Sequence, residues 1–206
     1  MPRKKTQSDE LVLQQALDLM YEQGPEALTF AALSKRCGLS GATLVQRFGN
    51  KAVLKQKSLL VAWDRLAGDT ARLAGSVPKT PEGAVQLLVG LTGQYGNIDS
   101  YAEGLLILRE DLRDPALRAR GAAWRDQLCA ALDACFAQSG VPAGVGLLAA
   151  THWQGALLWW GFDPKQSVEH YVEQSLRDFV AFTLDTEVGP LRENGREIGR
   201  PTHIVR

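Results

Sequence analysis

Three residues with short oxygen-bearing side chains, Thr29, Ser40 and Asn50, lie at nearly equal intervals, each directly before a helical pattern. At such a position the side-chain oxygen accepts a hydrogen bond from a first-turn N–H that otherwise has no partner. Gly38 lies between the first two patterns, where a chain leaving a helix commonly needs a positive φ. The segment is therefore predicted to form three consecutive helices, with a tight turn between the first two.

The rest of the chain also follows helical periodicity, and we find no alternating strand pattern of useful length. Asp114-Pro115 is one clear start signal, a capping residue followed by proline at the first helical position, and Thr80-Pro81 is another. The chain is therefore predicted to be all-α. The predicted helices are a first one that begins near Thr6 or Ser8 and ends before Gly24, followed by 30–37, 41–48, 51–73, 85–95, 101–112, 115–138, 142–162 and 167–186.

Residues 29–51 resemble the N-terminal DNA-binding motif of TetR-type (TetR/AcrR) transcriptional repressors. The matching positions are Thr29, Leu33, Gly38, Leu39, Ser40, Thr43, Leu44, Phe48, Gly49, Asn50 and Lys51. Three positions depart from the family's pattern, which usually has Lys at Gly41, an aromatic residue at Val45 and often His at Arg47. The resemblance implies a helix-turn-helix domain whose second helix enters the major groove while the first crosses the DNA backbone.

The resemblance and the charge distribution both divide the chain. The first 60 residues carry nine basic and five acidic side chains, whereas the whole chain is balanced at 23 of each, so a polyanion is attracted to one end. We expect a helix-turn-helix DNA-binding domain at 1–50 and a connecting helix at 51–73. A larger effector-binding and dimerisation domain is expected at 80–187, followed by a flexible tail at 188–206.

Phosphate contacts are expected to supply most of the affinity for DNA. Asn50 and Lys51 combine a helix N-terminus with an ammonium group, which suits an anion. Gln46 can bond an adenine edge and Arg47 a guanine edge. The residues Arg3, Lys4 and Lys5 form either an arm that follows the DNA or a solvated basic tail. The complete set of expected DNA-binding residues is Arg3, Lys4, Lys5, Thr29, Ser40, Gly41, Thr43, Val45, Gln46, Arg47, Asn50 and Lys51.

Residues 143–162 form a run of twenty positions without a charge, which is long enough to span a membrane. His152 and its polar neighbours near the middle, and the absence of a flanking basic cluster, argue against that interpretation. A helix that is apolar nearly all round must otherwise be covered by protein.

The resemblance implies that this helix and the last one pair with their copies as a four-helix bundle across a two-fold axis. Because adjacent helical residues point about 100° apart, one of Trp159 and Trp160 is expected in the core and the other in the interface. The expected interface residues are Gly155, Leu157, Leu158, Trp159, Trp160, Tyr171, Phe179 and Phe182.

The resemblance also implies an effector cavity among the helices of residues 81–162. Its candidate lining is apolar and aromatic with a few polar groups, as is typical of small-molecule sites. The candidates are Tyr95, Tyr101, Leu105, Leu108, Arg109, Trp124, Leu128, His152 and Trp153. Ordinary core packing is the alternative for each of them, and for His152 a hydrogen bond to a backbone carbonyl.

The three histidines and three cysteines show no metal-ligand spacing, and no nucleophile–base pair or phosphate loop is evident. We therefore expect no enzyme, no metal and no cofactor. The expected function is a cytoplasmic, homodimeric, ligand-responsive repressor that binds an inverted-repeat DNA operator and is released by a small-molecule effector. The alternative is a dimeric helical ligand-binding protein that has lost specific operator binding, which Gly41 and Val45 leave open.

Overall fold

A computed structural model describes residues 7–93 and 96–185, and every element of regular structure in those two ranges is helical. The helices are α1 (Asp9–Gln23), α2 (Phe30–Cys37), α3 (Gly41–Phe48), α4 (Lys51–Ser76), α5 (Pro81–Thr92), α6 (Ile98–Arg113), α7 (Pro115–Phe136), α8 (Val145–Phe162) and α9 (Val168–Asp185), with a single 3-10 turn at Pro25–Ala27 after α1. The all-α prediction is confirmed. The expected arm of Arg3, Lys4 and Lys5, the candidate Tyr95 and the tail 188–206 lie outside the described residues.

Helices α2, α3 and α4 begin at the predicted caps. The side-chain oxygens of Thr29, Ser40 and Asn50 each accept a hydrogen bond from the N–H three residues further on, at 3.0–3.1 Å. Gly38 follows α2 with φ of 69°, and its N–H donates to the Ser34 carbonyl oxygen at 2.9 Å. This left-handed residue allows the chain to turn sharply from α2 into α3.

Two helices are longer than predicted. Helix α4 continues to Ser76 rather than ending at Leu73, because the Ser76 hydroxyl donates to the Leu73 carbonyl oxygen at 2.9 Å and closes another turn. Helix α6 begins at Ile98 rather than at Tyr101. Its N-cap is Asn97, whose side chain accepts from an N–H in the first turn at 2.9 Å.

Helix α8 starts three residues later than predicted, at Val145. Gly144 precedes it with φ of 90°, a conformation outside the helix. The first turn is capped from another helix, because the Asp133 carboxylate of α7 accepts the Gly146 N–H at 2.7 Å. The start of α8 is thus set by tertiary packing.

The first of two apolar cores lies among α1, α2, α3 and the N-terminal half of α4. Its fully buried members include Leu33, Leu44 and Leu54. Ile107 of α6 and Leu117 of α7 belong to the same core. The N-terminal helices are therefore packed directly onto the following part of the chain, and the predicted division at residue 50 stays a prediction.

The second core lies among α5, α7, α8 and α9 and is built around indole rings. Trp124 donates its N–H to the Thr70 hydroxyl at 2.9 Å, and Trp153 donates to the Thr92 hydroxyl at 2.8 Å. Each threonine in turn donates to a carbonyl oxygen of its own helix. Both buried indole N–H groups therefore have a partner, as a stable core requires.

Candidate DNA-binding face, internal cavity and exposed helix face

Helix α3 presents a short polar and apolar face to solvent. Leu44 and Phe48 anchor the helix in the first core, whereas Val45 is 46% exposed and Gln46 is also exposed. Because α3 follows a tight turn and lies on the surface, these two outward side chains are available to a DNA groove.

The other expected base-reading positions on α3 are less accessible. Gly41 and Thr43 are half-buried, and the Thr43 hydroxyl lies 2.8 Å from the hydroxyl of the cap residue Ser40. Thr29 is exposed and its hydroxyl caps α2. The hydroxyls at positions 29 and 40 therefore stabilise helix ends in the absence of DNA.

Arg47 is held within the protein. Its Nε donates to the Asp9 carboxylate at 2.6 Å, its Nη2 contacts the same carboxylate, and Nη2 also donates to the Gln7 carbonyl oxygen at 2.9 Å. The guanidinium also lies 5.6 Å from the centre of the Phe48 ring. In this arrangement Arg47 ties α3 to the start of α1, and a guanine contact requires it to leave Asp9.

Lys51 lies at the N-terminus of α4, where Asn50 is exposed. Its ammonium is 3.2 Å from the Glu26 carboxylate and 3.3 Å from the Glu26 carbonyl oxygen. The hydrogen bond from Lys51 lowers the pKa of the Glu26 carboxyl group. Since Glu26 is exposed, a DNA phosphate can replace it as the partner of Lys51 at little cost.

Two exposed lysines near this face were missed in the sequence. Lys35 of α2 and Lys57 of α4 form no ion pair among the residues that the structure describes. Lys57 lies 6.0 Å from the centre of the Phe48 ring. In the described part of the chain neither ammonium group therefore has a competing carboxylate, which becomes apparent only once the ion pairs of the other cations are known.

A cavity of about 550 Å³, partly open to solvent, lies where the N-terminal helices meet the second core. Its walls come from α1, α4, α6, α7 and α8. The lining residues are Leu17, Tyr21, Leu59, Ala62, Trp63, Arg65, Leu66, Asp69, Ser100, Tyr101, Gly104, Leu105, Ile107, Leu108, Asp111, Trp124, Trp153 and Gln154. The volume and the mixed aromatic, apolar and polar lining are those of a small-molecule site.

Asp111 is a buried acid on the wall of this cavity, with 9% of its surface exposed. Burial raises the pKa of its carboxyl group to about 6, the hydrogen bond from the Trp63 indole N–H at 3.2 Å opposes the rise, and Asp114 and Glu110 add to it. Burial, and secondarily the charge of Asp111, also raise the pKa of Tyr21.

Five of the expected effector residues line the cavity: Tyr101, Leu105, Leu108, Trp124 and Trp153. The other lining groups were missed, including those from α1 and α4. No local signal marks them, because they reach the cavity only through the packing of distant helices.

The three remaining candidates within the described residues lie elsewhere. Arg109 is exposed and pairs with Glu110 at 3.5 Å, and Leu128 is buried in the second core. His152 faces α9, where its Nε2 lies 3.0 Å from the Ser175 carbonyl oxygen and 2.9 Å from the Ser175 hydroxyl. We therefore leave these three residues out of the cavity proposed below.

Helix α8 has one buried and one exposed apolar face. Along the exposed face Leu148 is 61% and Trp159 is 66% exposed, and Phe162 at the end of the helix is also exposed. Gly155 lies between them, and a Cβ added there would meet no atom within 4 Å. The face is therefore largely apolar, with the exposed Thr151 between Leu148 and Gly155, and it is open to close approach by another surface.

The expected interface residues divide between the two faces of α8 and the exposed side of α9. Leu158 and Trp159 are exposed, whereas Leu157 and Trp160 are buried in the core of their own chain and offer nothing to a partner. The expectation that one of the two tryptophans is a core residue is confirmed for Trp160. On α9, Tyr171 and Phe179 are half-buried and Phe182 is exposed.

Two other kinds of feature are absent from residues 7–93 and 96–185. In these ranges we find no helix long and apolar enough to cross a membrane. The same residues contain no group of three or more histidine, cysteine or acidic side chains arranged to hold a metal ion.

The fold and the α3 face together define a helix-turn-helix protein with a larger helical domain. Residues 12–56 match the family model described as bacterial regulatory proteins, tetR family. No curated protein gives a significant match to the chain.

Several solved structures with the same fold are described as regulators. The TetR-family regulator PfmR of Thermus thermophilus is 20% identical, covers 85% of this chain and 99% of its own, and has a TM-score of 0.60. A transcriptional regulator of Rhodococcus sp. Rha1 is 17% identical over 86% of this chain and 96% of its own, with a TM-score of 0.70. A regulator of Saccharomonospora viridis in complex with choline is 18% identical over 82% of this chain and 93% of its own, with a TM-score of 0.66.

Residues 12–56 are thus a TetR-type DNA-binding domain, and the chain as a whole has the fold of TetR-family transcriptional regulators. The resemblance seen in the sequence is confirmed.

Proposed function

We propose that this protein is a ligand-responsive transcriptional repressor, which binds an inverted-repeat operator as a homodimer and is released by a small molecule. The observation that carries the proposal is the position of the cavity. It lies beside a helix-turn-helix domain and is walled in part by that domain's own helix, through Leu17 and Tyr21 of α1.

The cavity offers a direct route from ligand to DNA-binding face. Helix α4 begins beside that face at Lys51 and lines the cavity further along with Trp63 and Leu66. A ligand that prefers one placement of α1 and α4 lowers DNA affinity by that difference in preference, and by no more. A regulator of the same fold has been solved in complex with choline, which supports a small-molecule role for this protein.

Dimerisation through the exposed face of α8 completes the proposal. A second copy would cover Leu148, Trp159 and Phe162, and Gly155 would let the two α8 helices approach closely. Large exposed apolar faces of this kind are typical of interfaces, and Trp is enriched at their energetic centres. Two α3 helices then face DNA together, which requires half-sites about one helical turn or a multiple apart.

The DNA-binding set supported by the structure is smaller than the one expected from the sequence. We propose Val45 and Gln46 for the bases, and Asn50, Lys51, Lys35 and Lys57 for the phosphates. An operator-binding regulator must be in the compartment that contains the chromosome, so a cytoplasmic location is part of the same proposal.

The test is selection of duplexes from a random pool by the full chain, followed by fluorescence anisotropy with the enriched sequence. We expect an inverted repeat to be enriched and its affinity to fall steeply with salt. A compound that stabilises the protein thermally is then added to the complex, and it should release the DNA. Failure to enrich or bind any duplex at low salt would exclude an operator-binding function.

The alternative, a dimeric ligand-binding protein without an operator, is favoured by the internal pairing of Arg47 with Asp9. This pair withholds one cation from DNA in the free protein. The same experiment separates the two functions, because the alternative predicts ligand-induced stabilisation without any duplex binding.

A further inference from the structure

The cavity combines acidic and aromatic groups, and this combination points to the charge of its ligand. Two carboxylates, Asp69 and Asp111, and one cation, Arg65, line it. Asp69 is exposed and forms an ion pair with Arg72 at 3.1 Å, and Arg65 is exposed too. Asp111 is the buried charge of the set, so it dominates the electrostatics of the interior.

Asp111 has no cation of its own. Among the described residues its only hydrogen-bond donor is the neutral indole N–H of Trp63, at 3.2 Å. The nearby Lys55 and Arg109 are both committed to Glu110. A buried carboxylate without a counter-charge is costly in a protein interior.

The walls around Asp111 are aromatic. Trp63 and Trp124 have ring centres 5.8 Å apart, and Trp124 and Trp153 have ring centres 6.4 Å apart. Tyr21 and Tyr101 line the same cavity. The faces of such rings carry negative potential and attract a cation within about 6 Å, most strongly when it is desolvated.

The indole donors of the cavity are already used. Trp63 donates to Asp111, Trp124 to Thr70 and Trp153 to Thr92. An anionic ligand therefore finds a buried negative charge, no indole N–H to bind and, in Arg65, only an exposed cation, whereas a cationic ligand finds both a buried counter-charge and ring faces.

We propose that the cavity takes a hydrophobic organic cation, which lies between the Asp111 carboxylate and the aromatic rings. The proposal rests on the proposed effector role of the cavity and names the ligand's chemical class. Asp111 is the specificity-determining group, since it separates a cation from an uncharged molecule of the same shape. The rings contribute to binding of either.

Proton uptake by Asp111 competes with the cation. The carboxyl pKa of Asp111 is about 6, and the other titratable groups that interact with it are Glu110, Asp114 and Tyr21. Glu110 is paired with Lys55, and Asp114 accepts from Gln56 at 2.8 Å. Because the carboxylate must be ionised to attract the ligand, affinity should increase by about tenfold between pH 5 and pH 7.

The test uses isothermal titration calorimetry with the full chain and two probes of the same shape. Phenyltrimethylammonium carries the positive charge, tert-butylbenzene is its uncharged isostere, and benzenesulfonate provides an anionic comparison. We expect the cation to bind about tenfold or more tightly than the isostere at pH 7.5, and the anion to bind more weakly than both.

Asp111→Asn keeps the shape of the side chain and its ability to accept from Trp63, and removes the charge. In this variant the preference for the cation should disappear, the pH dependence should be lost, and the uncharged probe should bind as before. That last result also shows that the variant is folded around an intact cavity. Asp126→Asn, at an exposed acid of α7, is the matched control and should bind all probes like the wild type.

The inference is overturned if the two isosteric probes bind equally, if the anion binds best, if no probe binds, or if Asp111→Asn retains the preference for the cation. Its failure differs from failure of the proposed function. A protein that binds its operator and releases it with an uncharged or anionic compound keeps the function and loses the inference. A protein that binds the cation but no duplex keeps the inference about the ligand and loses the proposed function.

Discussion

Asp111 is the residue whose chemistry departs furthest from its ordinary state. The pKa of an unfolded aspartate is about 3.9, and burial raises that of Asp111 to about 6. Between these two pH values the folded protein holds a proton that the unfolded chain has lost, so the free energy of unfolding falls as pH rises from about 4 to about 6. Above about pH 6 both states have lost this proton, so Asp111 causes no further change in the free energy of unfolding with pH.

The effect of Asp111→Asn on the free energy of unfolding should therefore be more favourable at high pH than at low pH. Relative to wild type, we expect its free energy of unfolding to increase by about 2 kcal/mol at most between pH 4.5 and pH 8, measured by urea denaturation at each pH. A pH-independent effect of Asp111→Asn would contradict the assignment of a raised pKa.

At the DNA face, Lys51 and Gln46 are assigned different tasks. Lys51→Ala should weaken binding to every duplex by a similar factor and reduce the slope of log affinity against log salt by about one. Gln46→Ala should instead change which sequences are preferred, at a cost of about 1–3 kcal/mol on the best one. Anisotropy with a panel of related duplexes at three salt concentrations measures both.

Lys165→Ala is the control for this pair, because Lys165 lies in the α8–α9 connection and pairs with Asp163 at 2.8 Å. This variant should change neither the affinity for DNA nor the order in which the related duplexes are preferred. Equal losses on all sequences for both Lys51→Ala and Gln46→Ala would refute the division of roles.

The sequence predicts roles for single residues well where the chemistry is local. Thr29, Ser40 and Asn50 have the capping bonds that were predicted from their type and position. Arg47 is different, because its partner Asp9 is 38 positions away and nothing in either local pattern connects them. A residue's availability to a ligand depends on such distant partners.

At the scale of the helices, the difference between local and distant partners also decides which helix ends can be predicted from the sequence. The start of α6 at Asn97 carries a local signal that we passed over, an asparagine whose side chain caps the first turn. The start of α8 carries none, since its cap is supplied by Asp133 from α7. The first kind of boundary can be predicted from sequence, and the second requires the fold.

The interhelical cap gives a prediction of its own. Asp133→Ala leaves the Gly146 N–H without its side-chain partner, so the free energy of unfolding should fall by about 1 kcal/mol. Asp126→Ala removes an exposed acid from the same helix and should change it by less than about 0.5 kcal/mol. Urea denaturation of both variants measures the difference, and equal effects would show that the cap contributes nothing.

The cavity is also a property of helices brought together. The resemblance to TetR-type repressors implied Tyr101, Trp124 and Trp153 as candidates, and these three residues do line it. Trp63 and Asp111 were missed, because neither position differs in its local pattern from an ordinary helical residue. They become recognisable when α4 and α6 are packed and the indole N–H is found 3.2 Å from the carboxylate.

For the whole molecule, the exposed face of α8 predicts self-association. Trp159→Glu places a charge in the middle of the proposed interface and should turn a dimer into a monomer at micromolar concentration, with a lower affinity for DNA as a consequence. Size-exclusion chromatography with light scattering gives the mass directly. The side chain is 66% exposed in one chain, so the folded monomer should tolerate the change.

Leu112→Glu is the matched control, since Leu112 is 61% exposed on α6, outside the α8 face. It should leave the mass of the assembly unchanged. If both variants remain dimeric, another surface joins the copies. If the wild type is already a monomer, the proposed use of this face is wrong.

In the proposed mechanism, two chains present two α3 helices to one duplex. Native mass spectrometry of the full chain with its enriched duplex measures this stoichiometry. We predict a complex of two chains with one inverted repeat, which disassembles from DNA as an intact dimer when the effector is added. A single chain on the duplex, or two chains that bind it independently of half-site spacing, would contradict the account.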